Sequence, residues 1–458
     1  GKTSALRTLA LAAGITPRGG PVHVYGLDFG GGGLTMLEEL PYVGSIVSGD
    51  DEERVTRLMK FLTALIEERA TRYSAQRAPS LPDYRQLAQR PSEPRILLLM
   101  DNFGAFRTEY DSTMARVVVY DAFRRLIADG RAVGVHVAMT ADRLPTVPTA
   151  LSSSFQQRVI LRQTNEDGYM EASVPKDVLS STSPPGRAML QDQAEELQLA
   201  ILGDDPSPLA LGRLITQLAE EIAPFTVAPP EPIRALPALV STGSLPAELG
   251  GEPVLGLESQ SLAPIGFDPR GPALITGPRQ SGRTSALRWF AESIRRWSPG
   301  TRLYLLGTRR SVLASWPGWT AVKSGATEVD DFVRDTLMPR LELEADPAGK
   351  PGLAVFVEGL PDFDAGMAEM SLTDALAAAR RNGHPFFTEG EVTEVSGYGS
   401  LMTEARQARA GFILQPETAD EGLFRTPLGR CNRGDFPPGR GLWVRAGKTS
   451  RVQLPLVD

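Results

Sequence analysis

The chain has 458 residues, 41% of them hydrophobic and 22% charged, which exceeds one ordinary core and sets an expectation of two globular domains. Three widely separated histidines (His23, His136, His384) and one cysteine, Cys431, leave no metal-ligand spacing and no internal disulfide, and a lone thiol suits a reducing compartment. No apolar run of about 18 residues occurs, no stretch reads as a secretory leader, and a formal net charge of −7 speaks against a nucleic-acid-binding role.

In chain order, Gly1-Lys2-Thr3-Ser4 comes first. A Gly-Lys-Thr triplet feeding a helix, expected from Ser4 to about Ala13, reads as the end of a phosphate-binding loop. The strand and first glycine of that loop would lie upstream, so the chain is expected to be part of a longer protein. Residues 22–29 read as a strand bounded by glycine-rich turns. Gly30 to Gly33 admit two readings, a ligand cradle or a flexible turn, and the turn is the simpler. Ile46-Val47 reads as a short buried strand. Asp50-Asp51 then offers an N-cap for a helix over about 52–73, with Val55, Leu58, Met59, Leu62 and Leu65 at helical spacing. Ile96 to Met100 is a continuous apolar run ending in Asp101, as in a parallel strand buried on both faces. A helix over about 113–129, strands over 134–140 and 158–162, and a hairpin from 186–190 and 197–201 follow. Strands alternating with helices predict a doubly wound α/β domain.

A helix over about 211–222 closes a first domain at 1–224. Prolines at 224, 229, 230, 232, 237, 246 and 253 then mark a semi-rigid linker, 225–253. Its Ile233, Leu236, Leu239 and Val240 are available to fill surface pockets. The second domain, 254–458, restarts the series. A strand over 273–276 leads into Gly277-Pro278-Arg279-Gln280-Ser281-Gly282-Arg283-Thr284-Ser285, and Gly282 to Arg288 nearly repeats Gly1 to Arg7. Val322 to Gly325 answers Val47 to Gly49, 351–358 answers 94–101, and the strand beginning at Arg409 answers that at Arg158. Pro437-Pro438-Gly439-Arg440 repeats Pro184-Pro185-Gly186-Arg187, and Val452-Gln453-Leu454 repeats Leu197-Gln198-Leu199. Landmarks recurring in one order indicate an internal duplication. Gly447-Lys448-Thr449-Ser450 also spells Gly-Lys-Thr-Ser, but it precedes a strand and reads as a hairpin turn.

The loop 277–285 matches G-x-x-x-x-G-K-[ST] except that Arg283 stands for Lys. Such a loop needs glycine so that backbone N–H groups can face phosphate oxygens, and the next helix adds its positive end. Lys2 and Arg283 would reach the phosphates, while Thr3 with Asp101, and Thr284 with Glu358, would hold Mg²⁺ beside ATP. Asp101 and Glu358 are also the candidate catalytic acids. An efficient hydrolytic site wants a second acid to orient water, and here Asn102 and Gly359 follow instead. Arg143, Arg158, Arg162, Arg409 and Arg425 are each open to reading as an arginine finger or as an ordinary surface or salt-bridged residue. Trp316 and Trp319 cap a pocket or pack a core.

This order of motifs resembles the FtsK/SpoIIIE branch of P-loop ATPases. The carriers are Val24-Tyr25-Gly26-Leu27-Asp28 with its glycines, Glu67-Glu68-Arg69 to Arg72-Tyr73, and Gly134-Val135-His136 to Thr140-Ala141-Asp142-Arg143. Leu423-Phe424-Arg425-Thr426-Pro427 and Phe436-Pro437-Pro438-Gly439-Arg440-Gly441 make the chain most similar to the second and third ATPase domains of EccC, the type VII secretion motor. The resemblance implies two tandem P-loop NTPase (RecA-like) α/β domains with largely parallel sheets flanked by helices. It implies a further ATPase domain and a membrane anchor upstream in the same protein, at the cytoplasmic inner face of the cell membrane, and a homo-oligomer, a hexamer, in the assembled machine. It also implies that the last domain recognises the C-terminal signal of a WXG100 (Esx-type) substrate. Weak hydrolysis is expected, and DNA is not an expected partner. The rival readings are an ATP-driven DNA translocase and an efficient stand-alone ATPase.

Overall fold

The fold is described from a computed structural model. It describes every residue except 16–19, 113, 164, 177, 181, 192–194, 227, 309–310, 346–348, 409, 429–430, 432 and 458. The chain forms two compact units, Gly1–Arg234 and Ala235–Asp458.

Unit 1 carries strands β1 (Val22–Asp28), β2 (Val43–Ser48), β3 (Arg95–Asp101), β4 (Val135–Met139), β5 (Val159–Leu161), β6 (Arg187–Leu190) and β7 (Glu196–Gln198). The first four form a parallel sheet in the order β2-β1-β3-β4. Its strands are apolar on both faces because both are covered. Ile96, Leu98 and Met100 of β3 meet the helices Glu52–Ala75, Phe103–Tyr110 and Met114–Asp129. Leu97 and Leu99 meet the helices Lys2–Ile15 and Pro208–Ile222. Asp51 caps the long helix by accepting the Arg54 N–H, and Val55, Leu58, Met59 and Leu62 are buried at the expected spacing. Arg69 on that helix is buried, donates to the carbonyls of Val133 (3.0 Å) and Pro94 (2.8 Å) and pairs with Glu93. The short helices Leu81–Leu87 and Phe103–Tyr110 escape the sequence reading.

Unit 2 carries β8 (Glu248–Leu249), β9 (Glu252–Glu258), β10 (Pro264–Gly266), β11 (Pro272–Thr276), β12 (Arg302–Gly307), β13 (Ala321–Ser324), β14 (Leu353–Glu358), β15 (Phe386–Gly390), β16 (Ala410–Leu414), β17 (Arg440–Arg445) and β18 (Lys448–Gln453). They make one sheet, β10-β9-β18-β17-β16-β11-β15-β14-β12-β13, with β8 on β9. From β16 to β13 it is parallel; from β16 to β10 it is antiparallel. The antiparallel half includes strands the sequence does not announce: β8 lies within the stretch read as linker, 225–253, and β9 begins in it. In unit 2, β11 joins β15 to β16. Among the described residues of unit 1 no strand takes that place, and β5, β6 and β7 form a separate antiparallel sheet.

The repeat is structural down to single hydrogen bonds. Gln198 donates to the Pro185 carbonyl and Gln453 to the Pro438 carbonyl, both at 2.9 Å. Leu199 N–H donates to Gly186, and Leu454 N–H to Gly439. Gly447 lies in the turn between β17 and β18, as expected of a hairpin. The proline-rich stretch divides between the units: Ile233 packs in the core of unit 1, while Leu236 and Val240 are buried in unit 2 and Leu239 is exposed. Trp316 and Trp319 pack edge to face, with Trp319 against Phe356. No helix among the described residues is long and apolar enough to cross a membrane.

Candidate functional site

In unit 2 the predicted loop sits between β11 and the helix Arg283–Trp297. A side chain at Gly277 is excluded: φ is 153°, and a Cβ would stand 2.7 Å from the Leu414 carbonyl oxygen. Gln280 (φ 63°) and Gly282 (φ 99°) complete the curl. Pro278 and Thr284 are half-buried, Gln280 and Ser285 exposed. The Ser281 hydroxyl is buried without a hydrogen-bond partner among the described residues. The chain reversal brings the helix N-terminus to the ends of the parallel strands, where such folds bind ligands.

In unit 1 the helix begins at Lys2, directly after Gly1, and Ser4 is half-buried in its first turn. Thr3 Oγ1 donates to Asp101 Oδ2 at 2.7 Å. Thr140 Oγ1 donates to the other oxygen, Oδ1, at 2.6 Å and accepts the Asn102 N–H at 2.9 Å. Lys2 Nζ lies 2.8 Å from Asp142 Oδ1, and both side chains are largely exposed. Asp28, paired with Asp101 across β1 and β3, accepts N–H groups from Gly30, Gly32 and Leu34. The glycine run therefore turns its donors onto its own chain, which is the turn reading. Asn102 is left-handed (φ 61°), and its amide donates to the Phe29 carbonyl.

Register relates the two sites. Met100 pairs with Met139 and Val357 with Thr388, so Glu358 and Glu389 take the places of Asp101 and Thr140, and Glu391 that of Asp142. Gly359 (φ 64°) takes the place of Asn102 and donates its N–H to Glu389 Oε1 at 2.5 Å. Arg283 Nε lies 3.3 Å from Glu389 Oε2, and Arg279 Nε 2.8 Å from Glu391 Oε1. Thr284 and Glu358 share no hydrogen bond of the Thr3–Asp101 kind. Burial pushes the Glu389 carboxyl above its ordinary range, against the pull of Arg283 and of the Gly359 N–H. A pocket of about 350 Å³ opens here. Its described lining holds five carboxylates (Glu358, Asp362, Glu389, Glu391, Glu394) and two guanidinium groups (Arg279, Arg283).

The sequence reading singled out the Lys, Thr and strand-end acids but gave no role to Thr140, Asp142, Glu389 or Glu391. Their signal was present: each follows an apolar strand and ends on acid-x-acid or Thr-x-acid. Of the arginines, Arg158 is held by Gln191 and the Ser152 carbonyl, Arg425 forms a left-handed helix cap, and Arg409 lies outside the described residues. Residues of unit 1 suit an ATP·Mg²⁺ ligand. The ammonium of Lys2 is accessible, and a hydroxyl and a carboxylate of the kind that hold a hard divalent cation already face each other. Residues of unit 2 do not suit a triphosphate, since Arg283, at the place of the P-loop lysine, faces the buried Glu389 and Arg279 faces Glu391.

A P-loop on a parallel sheet, with an acid ending a strand one place removed from the P-loop strand, is the arrangement of P-loop ATPases, and in sequence the chain is similar to the FtsK/SpoIIIE family among them. The sequence model of that family matches residues 1–180. Over the whole chain the sequence is 23% identical to the ESX secretion system protein EccC of Geobacillus thermodenitrificans, covering 32% of it. Two solved structures share the fold. EssC (ATPases 2 and 3) from Geobacillus thermodenitrificans has a TM-score of 0.74 at 20% identity, with 100% of this chain and 89% of that one covered. EccC (ATPases 2 and 3) of Thermomonospora curvata, in complex with a signal sequence peptide, has a TM-score of 0.69 at 23% identity, with 100% and 86% covered. The chain spans 32%, 24% and 26% of the length of three of the curated relatives it matches.

Proposed function

We propose that the chain is the tandem second and third ATPase module of a type VII secretion motor. In this reading unit 1 binds ATP·Mg²⁺ and hydrolyses it weakly, and unit 2 recognises the C-terminal signal of a WXG100 substrate. The observation that carries the reading is the Thr3–Asp101 pair beside Lys2. Lys2 binds phosphate; Thr3 and Asp101 hold the cation; bound Mg²⁺ supplies charge neutralisation on the phosphate oxygens. Asn102 stands where a water-orienting acid would act, and a carboxamide accepts no proton at neutral pH, so turnover is slow. Similarity along the whole chain to secretion ATPases, and a fold-mate that holds a signal peptide, support the substrate assignment. Further ATPase and membrane segments, and a homo-oligomer at the inner membrane face, belong to the same proposal.

The test is titration of the protein with the C-terminal peptide of a WXG100 protein encoded nearby, with and without ATP·Mg²⁺. Saturable binding is expected in at least one condition, and none in both sinks the secretion assignment. Lys2→Ala should weaken ATP binding to unit 1 by roughly 100-fold, the scale of losing a charge-assisted phosphate contact of about 3 kcal/mol. Fast turnover by this chain, abolished by Lys2→Ala, would instead show that unit 1 has a water-activating group other than Asn102.

A further inference from the structure

We infer that the P-loop of unit 2 is closed to nucleoside triphosphates, and that Glu389, more than Arg283, decides it. The two units give an internal comparison. Both place an acid two residues beyond the Thr140/Glu389 position, opposite the P-loop cation: Asp142 for Lys2, and Glu391 for Arg279 and, at 3.9 Å, Arg283. That feature is common to both and does not distinguish them. What differs is Thr140 against Glu389. Thr140 satisfies the Asn102 N–H and binds only Asp101, leaving Lys2 to an exposed partner. Glu389 satisfies the equivalent N–H of Gly359 and turns its second oxygen to Arg283.

The two ion pairs differ in how easily a phosphate can break them. The Lys2 and Asp142 side chains are 46% and 67% exposed, and such pairs contribute little. The Arg283 and Glu389 side chains are 18% and 7% exposed. Drawing Arg283 onto a phosphate would strand a buried carboxylate next to Glu358 and Asp362, which is strongly unfavourable. A triphosphate would also enter a pocket whose described lining is acidic by five carboxylates to two guanidinium groups. Lysine at 283 would face the same carboxylate, so the Arg-for-Lys exchange is not by itself the cause. The inference stands apart from signal recognition and concerns only the nucleotide.

Photo-crosslinking of the intact protein with an azido-ATP and Mg²⁺, followed by peptide mapping, reads the two units separately. The wild type should label unit 1 and leave unit 2 at background, with apparent affinities separated by roughly 100-fold or more. Arg283→Lys should leave unit 2 at background. Glu389→Thr, the residue of unit 1, should raise labelling of unit 2 at least about ten-fold. Glu389→Gln keeps an acceptor for the Gly359 N–H without the charge and should do the same, which covers a folding failure of the threonine variant. Labelling of wild-type unit 2 as strong as unit 1 would overturn the inference. So would folded Glu389 variants that gain nothing, or a gain from Arg283→Lys alone.

Discussion

Thr140 and Glu389 differ by a hydroxyl against a carboxylate, yet each takes the N–H of the residue after the strand-end acid. A hydroxyl can both accept and donate, so Thr140 also supports Asp101. An ionised carboxylate only accepts, so Glu389 requires a cation, and the nearest is the P-loop arginine. Burial raises the Glu389 pKa, with Arg283, Arg279, Glu358, Asp362 and Glu391 facing it from the helix, the loop and the ends of β14 and β15. Relative to the unfolded chain, folding therefore shifts the group toward its neutral form. The stability that form contributes is full below the ordinary 4.5 and is lost as pH rises through the raised value. Unit 2 should accordingly melt higher on mild acidification, and Glu389→Gln should flatten that dependence in a pH series of thermal melts. At the same low pH Arg283 is less tightly engaged, so residual azido-ATP labelling of unit 2 should increase.

The long helix Glu52–Ala75 was legible because its N-cap and apolar stripe are local properties. What fastens its far end was not. Arg69 is charged and lies among charged neighbours in sequence, but it is buried on two backbone carbonyls and Glu93, all more than 20 residues away. Arg69→Met should cost unit 1 about 3 kcal/mol in denaturant unfolding, because it leaves the Val133 and Pro94 carbonyls without their buried donor and Glu93 with Arg72 alone. In unit 2, Asp268 is pressed upward by burial, but hydrogen bonds from Arg270 and Arg445 outweigh this and hold it at about 2. A depressed carboxylate stabilises above its ordinary value, 3.8, and loses that as pH falls towards 2. The destabilisation by Arg445→Ala measured at pH 7 should therefore shrink across that window.

The boundary between units falls at 234/235, inside a stretch whose prolines mark it as irregular but do not say which body it joins. Contacts decide that. Arg440 donates to the Leu236 carbonyl at 2.6 Å, Thr242 donates to Leu456, and β8 and β9 extend the sheet. A polypeptide of residues 235–458 should unfold cooperatively. One of residues 254–458 lacks β8 and the start of β9, loses Val240 and Leu245 from the core that holds Trp289 and Phe290, and should melt at lower temperature or not fold. Circular dichroism melts of the two pieces check this.

Sequence alone was enough for the duplication, the α/β class, both P-loop sequences and the family resemblance, because each depends on residue type and spacing along the chain. It also located the strand-end acids and their missing acidic neighbours. Tertiary structure decided which strands share a sheet, that β5 to β7 stand apart from β1 to β4, and that Glu389 stands where unit 1 has Thr140. The physical reason is that a buried ion pair forms between residues distant in sequence. Arg283 stands out in its own segment as the arginine in place of the P-loop lysine, but Glu389 does not stand out in its own, and only strand register makes one the partner of the other.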